Sequence, residues 1–169
     1  MIILKTKRLI IRKYTYQDFE DLKMIITDPD TMKYYNKPYD DEGVMRWLNW
    51  CISSYEKEGF GLFALELKDT NTFIGDCGLS MQNIDSEILP EIGYHINKRY
   101  WQQGYAKEAA NAIKTWAFEN TNFTKLYSYM NKDNIPSYKT ALSVGMKLIK
   151  EYTDEDGENY LVCMIEKNN

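Results

Sequence analysis

Two spacings of hydrophobic residues alternate along the chain and predict its elements. Residues 7–13 contain a β-forming run, Leu9-Ile10-Ile11, that arginines flank, which is typical of a strand. A capping pattern, Thr15 with Asp18, then introduces apolar residues at helical spacing up to Asp28-Pro29-Asp30, which predicts a helix. A second helix is predicted over 41–57 by an apolar stripe: Val44, Trp47, Leu48, Cys51 and Ile52.

After Gly59 the hydrophobic spacing changes from the helical period of about 3.6 to a period of about 2. It predicts a hairpin of residues 60–67 and 72–82 and a strand at 90–97 that contains Gly93. The remaining chain is predicted as helix 105–119, strand 124–131, helix 135–144 and strands 146–153 and 159–166. We therefore expect an α+β fold of three layers, with a mixed, mostly antiparallel sheet of about seven strands and helices on both faces.

Composition narrows the function classes. The 169 residues are 44% hydrophobic, which is enough for a real core, and we expect a single domain over residues 1–169. The net charge of −4 argues against nucleic acid as a partner, because phosphate backbones need a basic surface. We expect no membrane segment, since no apolar run reaches about 18 residues. The N-terminus lacks a signal-peptide pattern, so a cytoplasmic location is expected.

The chain has a single histidine, His95, and three cysteines without a C-x-x-C spacing. This excludes zinc sites that are rich in histidine, and no metal is expected. The cysteines are expected as small buried apolar residues. Cys77 as an acyl-carrying nucleophile is the disfavoured alternative.

The segment from Glu91 to Ala110 carries the candidate chemistry. A strand ends near Asn97, a short loop leads to Gly104, and a helix then begins. The first N–H groups of a helix are unpaired and lie at the positive end of its dipole, which suits a pyrophosphate. Gly104 would let the backbone approach the phosphates. Neither a Walker A pattern nor G-x-G-x-x-G is present, which disfavours a nucleotide triphosphatase and a Rossmann dehydrogenase.

The segment Trp101-Gln102-Gln103-Gly104-Tyr105-Ala106 resembles the acetyl-CoA loop of GCN5-related N-acetyltransferases, with Trp101 in place of the usual Gln or Arg. That departure, within Tyr-Trp-x-x-Gly-Tyr-Ala, is similar to the RimJ/RimL branch. Two further segments agree in order and spacing: Thr6–Arg12 followed by Asp18, and Asn134-Ile-Pro-Ser137 followed by Gly145-Met146. The resemblance extends from about Thr6 to the final strand.

This resemblance implies a central strand that splays from its neighbour at a bulge and pairs its open backbone with the pantetheine arm of acetyl-CoA. A backbone N–H of that strand would meet the thioester carbonyl. The implied cofactor-binding residues lie in the strand, the loop and the start of a later helix: Tyr94, His95, Ile96, Gln102, Gln103, Gly104, Tyr105, Ala106 and Asn134.

The resemblance also implies direct acetyl transfer to an amine with Glu91 as general base. Many members of the family protonate the CoA sulfur with a Tyr four residues before the Gly that Gly145 matches, but Ala141 stands there. Ser137 is the implied acid in its place, and the adjacent Tyr138 is the fallback. For His95, contact with the pantetheine arm is the favoured role, and action as a general base is the alternative role. A regular strand would put His95 on the face of Glu91, and a bulge at Gly93 would not.

The acceptor is expected to be a primary amine, either a protein N-terminus or a small amine such as a polyamine or aminoglycoside. Its pocket walls would come from the N-terminal helices and the last hairpin. The aromatic and acidic residues of the N-terminal region are Tyr34, Tyr35, Tyr39, Trp47, Trp50, Asp28, Asp30, Asp40, Asp41 and Glu42. They form either an aromatic and acidic wall that would suit a cationic amine or a solvated loop around a packed helix. Monomer and homodimer both remain open. The alternative function is a catalytically silent module that binds CoA.

Overall fold

The computed structural model describes residues 1–35 and 38–168. Its strands are β1 Ile2–Lys5, β2 Leu9–Arg12, β3 Leu62–Leu67, β4 Phe73–Ile84, β5 Glu87–Ile96, β6 Lys125–Asn131, β7 Lys147–Thr153 and β8 Asn159–Glu166. Its helices are α1 Phe19–Ile26, α2 Asp41–Lys57, α3 Tyr105–Asn120 and α4 Ile135–Ser143, with short 3-10 turns at Tyr16–Asp18 and Lys98–Tyr100. The strands form one sheet in the order β1-β2-β3-β4-β5-β6-β8-β7.

The predicted α+β architecture is confirmed, with eight strands in the sheet where about seven were expected. The additional strand is β1, an edge strand whose residues are exposed or half-buried. It pairs with β2 in antiparallel fashion. The apolar start of the chain has no period-2 alternation, so its strand conformation depends on pairing with β2 and could not be predicted from the local pattern.

The predicted helices agree closely with the observed ones. Helix α2 occupies the predicted range, and the Asp40 side chain caps it by accepting the Gly43 N–H at 2.8 Å. Before α1, the Thr15 N–H donates to the Asp18 carboxylate at 2.7 Å, as the capping pattern predicted. Helices α1 and α2 pack together on one face of the sheet, and α3 and α4 pack on the other.

Strands β3 and β4 form the predicted hairpin, and β4 and β5 form a second hairpin that was not predicted. The strands continue to Ile84 and restart at Glu87, and Asp85 and Ser86 make the turn with φ of 50° and 68°. The sequence did not predict this continuation in full, because the polar residues Gln82, Asn83 and Glu87 interrupt the alternation of apolar and polar side chains.

Strand β5 has two unlike edges. Its ladder with β4 runs from Ile84↔Glu87 to Gly75↔Ile96 without a register shift at Gly93. On the other edge its parallel pairing with β6 consists of Glu91↔Tyr127, and the strands part beyond it. The expected splay is therefore confirmed, and the departure from regular pairing lies on the β6 side. Because the β4 ladder is regular, Glu91 and His95 share a face.

Candidate active site

Two cavities meet at the open part of β5. The first, of about 710 Å³, lies on the side of α2, and the second, of about 680 Å³, extends to the start of α3. We call them the acceptor cavity and the cofactor cavity. Six residues line both: Tyr34, Tyr35, Tyr94, His95, Asn134 and Ser137.

The even-numbered residues of β5 point their backbone N–H and C=O groups toward the opening. The Ile92 carbonyl accepts a hydrogen bond from Ser128 of β6 at 2.7 Å, whereas the Asn97 N–H donates to Ile74 of β4 at 2.8 Å. Since successive residues point their N–H and C=O groups to opposite edges, those of Tyr94 point toward β6, where the ladder has ended. The backbone of Tyr94 thus lines the opening between the cavities.

The start of α3 forms the far end of the cofactor cavity. Gly104 is the N-cap with φ of 81°, a left-handed conformation that favours glycine, and the first N–H groups of the helix follow it. Of the predicted cofactor residues, eight line this cavity: Tyr94, His95, Ile96, Gln102, Gly104, Tyr105, Ala106 and Asn134. Gln103 does not line it, because its side chain turns to donate to the Arg99 carbonyl at 3.1 Å. Three lysines that the sequence reasoning did not single out also line it: Lys33, Lys107 and Lys139.

Arg8 holds the loop before α3 in place. Its Nε donates to Glu108 at 2.6 Å, its Nη1 donates to the Gln103 carbonyl at 2.9 Å, and its guanidinium lies 4.2 Å from the centre of the Tyr105 ring. Glu108 also accepts from the Thr6 hydroxyl at 2.6 Å. The turn between β1 and β2 therefore fixes the geometry of the loop.

Glu91 lies in the acceptor cavity, half-buried, with its carboxylate near the Ser80 hydroxyl at 3.4 Å. Burial raises its pKa to about 7, and the positive charge of His95 and the bond from Ser80 offset this only in part. A carboxylate with such a pKa can accept a proton near neutral pH.

Ser137 lies in the first turn of α4 where the two cavities meet. Asn134 caps this helix, and its Oδ1 accepts the Ser137 N–H at 3.2 Å. The Tyr94 hydroxyl donates to the Ser137 carbonyl at 2.9 Å and lies 3.1 Å from Ser137 Oγ. Tyr138 lines neither cavity and packs against the core.

His95 is buried and bonded at both ring nitrogens. Nδ1 is 2.9 Å from Asp76, and Nε2 is 2.9 Å from the Tyr35 hydroxyl. Burial by itself would lower the pKa of His95, but the charge of Asp76, its hydrogen bond and the charge of Glu91 together outweigh burial, and the pKa is raised. Asp76 is fully buried and also accepts from the Tyr14 hydroxyl at 3.0 Å.

Eight tyrosine and tryptophan residues line the acceptor cavity, together with polar and aliphatic residues. All five aromatic residues that were predicted line it: Tyr34, Tyr35, Tyr39, Trp47 and Trp50. Of the five acidic residues, Asp40 lines it. Asp28 and Asp30 bind Lys98, Asp41 binds Lys23, and Glu42 lies 3.6 Å from Arg46. The prediction of an aromatic wall is thus confirmed, whereas most of the acidic residues serve ion pairs.

Comparison with known proteins decides the family. A family model described as an acetyltransferase (GNAT) domain matches residues 8–147, a range that holds both the Gly104 loop and Ser137. The chain belongs to the GNAT acetyltransferase family. It is therefore an acyltransferase that depends on acetyl-CoA.

Relatives of this acetyltransferase agree with that assignment. It is 31% identical over 163 residues to a protein named uncharacterized N-acetyltransferase p20 from Bacillus licheniformis, covering 93% of this chain and 90% of p20. An acetyltransferase structure from Agrobacterium tumefaciens superposes with a TM-score of 0.84 at 26% identity, over 97% and 94% of the two chains. The structure of RimL, a ribosomal L7/L12 α-N-protein acetyltransferase in complex with coenzyme A, has the same fold, with a TM-score of 0.81 at 14% identity over 98% of each chain.

Three findings on the acetyltransferase concern metal binding, membrane insertion and the state of the cysteines. Within residues 1–35 and 38–168 no group of three or more His, Cys, Asp or Glu side chains is arranged to hold a metal ion. None of the helices in the same ranges is long and apolar enough to cross a membrane. The three cysteines are free and buried, and burial raises the pKa of each. The expectation of buried apolar cysteines is confirmed.

Sequence reasoning missed the partners of His95. Asp76 pairs directly with His95 across the β4–β5 ladder, and Tyr35 reaches it from the loop after α1. An acidic residue inside the apolar run Ile74–Leu79 was the signal for Asp76. Tyr35 was predicted as a wall residue of the acceptor pocket, but no sequence signal linked it to His95.

Proposed function

We propose that this acetyltransferase moves the acetyl group of acetyl-CoA directly to a primary amine, with Glu91 as general base and Ser137 as general acid. One observation carries the proposal. The carboxylate with a pKa of about 7 lines the acceptor cavity, and the Ser137 hydroxyl lies where that cavity joins the cofactor cavity.

The cofactor cavity fits the donor substrate in its charge and shape. Unpaired N–H groups at the start of α3, beside Gly104, suit a pyrophosphate, and Lys33, Lys107 and Lys139 supply positive charge along the same cavity. Acetyl-CoA, when bound, supplies the acetyl group and a thiolate leaving group. The Tyr94 N–H, on the open edge of β5, would donate to the thioester carbonyl oxygen and stabilise negative charge there.

The two proposed catalytic groups act on opposite sides of β5. Glu91 would take a proton from the acceptor ammonium, which frees the nitrogen lone pair for attack on the carbonyl carbon. Ser137 Oγ would donate a proton to the sulfur as the C–S bond breaks and would regain a proton from solvent, so that CoA leaves as the free thiol. Tyr94 holds Ser137 by its carbonyl and lies beside its hydroxyl.

The acceptor cavity favours an amine that carries an apolar or aromatic group. Eight tyrosine and tryptophan residues contribute to its walls, and the acidic side chains that line it are Glu91 and Asp40. A polyamine needs several unpaired carboxylates along its length, and the remaining acidic residues of this region are in ion pairs. This supports a monoamine or a peptide N-terminus with a hydrophobic first residue.

Thiol release from acetyl-CoA tests the proposal with a panel of peptides, arylalkylamines, polyamines and aminoglycosides. We expect turnover with at least one monoamine or peptide, and a loss of about 100-fold in kcat/KM for Glu91→Gln. Tight CoA binding without turnover of any amine would instead support the alternative, a catalytically silent CoA-binding module.

A further inference from the structure

A chain of hydrogen bonds leads from the meeting point of the two cavities into the core. It runs from the Tyr35 hydroxyl to His95 Nε2, from His95 Nδ1 to Asp76 Oδ1, and from Asp76 Oδ2 to the Tyr14 hydroxyl. Each of the three distances is 2.9 or 3.0 Å. Asp76 is fully buried and His95 is 9% exposed, whereas Tyr35 is 45% exposed. Tyr35 is therefore the most exposed member of the chain, and His95 contributes only a small area to the cavity walls.

When His95 is neutral, the bonding pattern fixes the proton positions. An Asp76 carboxylate only accepts hydrogen bonds, so Tyr14 donates to one oxygen and His95 donates its Nδ1 proton to the other. His95 Nε2 is then the lone-pair nitrogen, and the Tyr35 hydroxyl donates to it. The Tyr35 oxygen keeps its own lone pairs, which can accept a hydrogen bond from a group in either cavity.

Amide formation requires two protons to leave the acceptor nitrogen. The first leaves the ammonium before attack, and Glu91 is the proposed acceptor for it. The second leaves as the N–C bond forms, when the nitrogen becomes strongly acidic. If Glu91 still holds the first proton at that moment, the second proton needs a different acceptor.

We propose that Tyr35, His95 and Asp76 form a proton relay that accepts this second proton. As the N–C bond forms, the N–H proton passes to the Tyr35 oxygen while the Tyr35 proton passes to His95 Nε2. Tyr35 ends neutral, His95 becomes an imidazolium, and the Asp76 carboxylate stabilises its charge. Tyr35 is the catalytic residue of the relay, and His95 and Asp76 act through it. The inference rests on the proposed function.

The surroundings of His95 are suited to this cycle. Asp76 faces it from β4, Glu91 shares its face of β5, Tyr35 approaches from the loop after α1, and the Trp47 ring of α2 packs edge-on at 5.3 Å. Arg46 of α2 lines the same cavity and lies beside Asp40 and Glu42. Two nearby carboxylates therefore favour the imidazolium, and the return of its proton to solvent completes the cycle.

The test uses Tyr35→Phe, which removes one hydroxyl from a partly exposed ring. We expect kcat to fall about tenfold, with KM for acetyl-CoA within about twofold of the wild-type value. Tyr16→Phe is the matched control, because Tyr16 is exposed and lines neither cavity. His95→Asn, whose amide can still donate to Asp76 but offers no basic Nε2, should lose as much as Tyr35→Phe, and the double variant should lose no more.

Because His95 is the sole histidine of the chain, its ring nitrogens can be followed without assignment by ¹⁵N NMR. We expect Nδ1 to stay protonated throughout and Nε2 to be bare once the pH exceeds the raised pKa of His95, and we expect a shift of the Nε2 signal in Tyr35→Phe. In the wild type, kcat should fall at low pH with a transition at the His95 pKa that NMR measures. In Tyr35→Phe, kcat should no longer show that transition.

Unchanged kcat and pH profile in Tyr35→Phe would overturn the relay while leaving the proposed function intact. Additive losses in the double variant would also overturn it. A wild-type protein that acetylates no amine would overturn both proposals together.

Discussion

The Tyr94 hydroxyl lies 3.1 Å from the Ser137 hydroxyl and donates to the Ser137 carbonyl at 2.9 Å, so β5 and α4 are joined where the cavities meet. Asn134 holds the same serine from the other side through its N–H at 3.2 Å. The Ser137 backbone is thus held by two neighbours and its Oγ has Tyr94 beside it, which suits a hydroxyl that must reach a fixed sulfur atom.

Removal of that hydroxyl tests its role as acid. Ser137→Ala should lower kcat by about 10- to 100-fold with little change in KM for the amine, since a water molecule would protonate the thiolate less efficiently. Steady-state thiol release measures the effect. Ser143→Ala is the control, because Ser143 belongs to the same helix and lines neither cavity. Equal kcat in both variants would contradict the assignment of Ser137.

The pH dependence of the reaction follows from Glu91. A base must be deprotonated, and its pKa of about 7 predicts that kcat/KM rises with pH and levels off above that value. Glu91→Gln should remove this limb together with most of the rate. A full pH profile from about pH 5 to 9 measures it. An unaltered limb in the variant would assign the titration to another group.

The same shift affects stability. The folded-state pKa of Glu91 lies above the ordinary value of 4.5, so its contribution to stability falls as pH rises from 4.5 to about 7 and stays low above that. Glu91→Gln should therefore be more stable than wild type at high pH, on the order of 2 kcal/mol, less than the full shift implies because the cavity admits solvent. Chemical denaturation at about pH 8 and pH 4 measures the difference, which should vanish at the lower pH. A gain that is equal at both pH values would point to a packing effect.

Arg8 should affect cofactor binding without contacting the reaction. Arg8→Ala removes the bonds to Gln103 and Glu108 that hold the loop before α3. We expect the Kd for CoA to rise about 5- to 10-fold, since one or two hydrogen bonds to a charged group are lost, while kcat at saturation changes little. Isothermal titration with CoA measures the affinity. The exposed neighbour Lys7 offers the control Lys7→Ala, and an equal loss there would indicate a general charge effect.

Local patterns in the sequence were sufficient for most elements but not for all of the site. Helix α2 and the Gly104 loop follow from periodicity and one glycine, both of which are local signals. The roles of Glu91 and Ser137 were predicted from the family resemblance and remain predictions, and both residues line the cavities. The link of Tyr35 to His95 joins residues 60 positions apart through a loop without regular structure, so no periodicity could reveal it. The Gln103 side chain turns from the cofactor cavity to the Arg99 carbonyl, and Arg8, 95 positions earlier, binds the Gln103 carbonyl, which no local pattern could reveal.

The contact of Arg8 with Glu108 joins residues 100 positions apart. The loop that would hold the pyrophosphate therefore reaches its final shape only after the first strands have docked on a helix made much later in the chain, which places it among the late events of folding. The reverse coupling holds in the folded state. A ligand that grips this loop also resists detachment of the amino-terminal strands, so cofactor should slow hydrogen exchange in β1 and β2, far along the chain from the residues it touches.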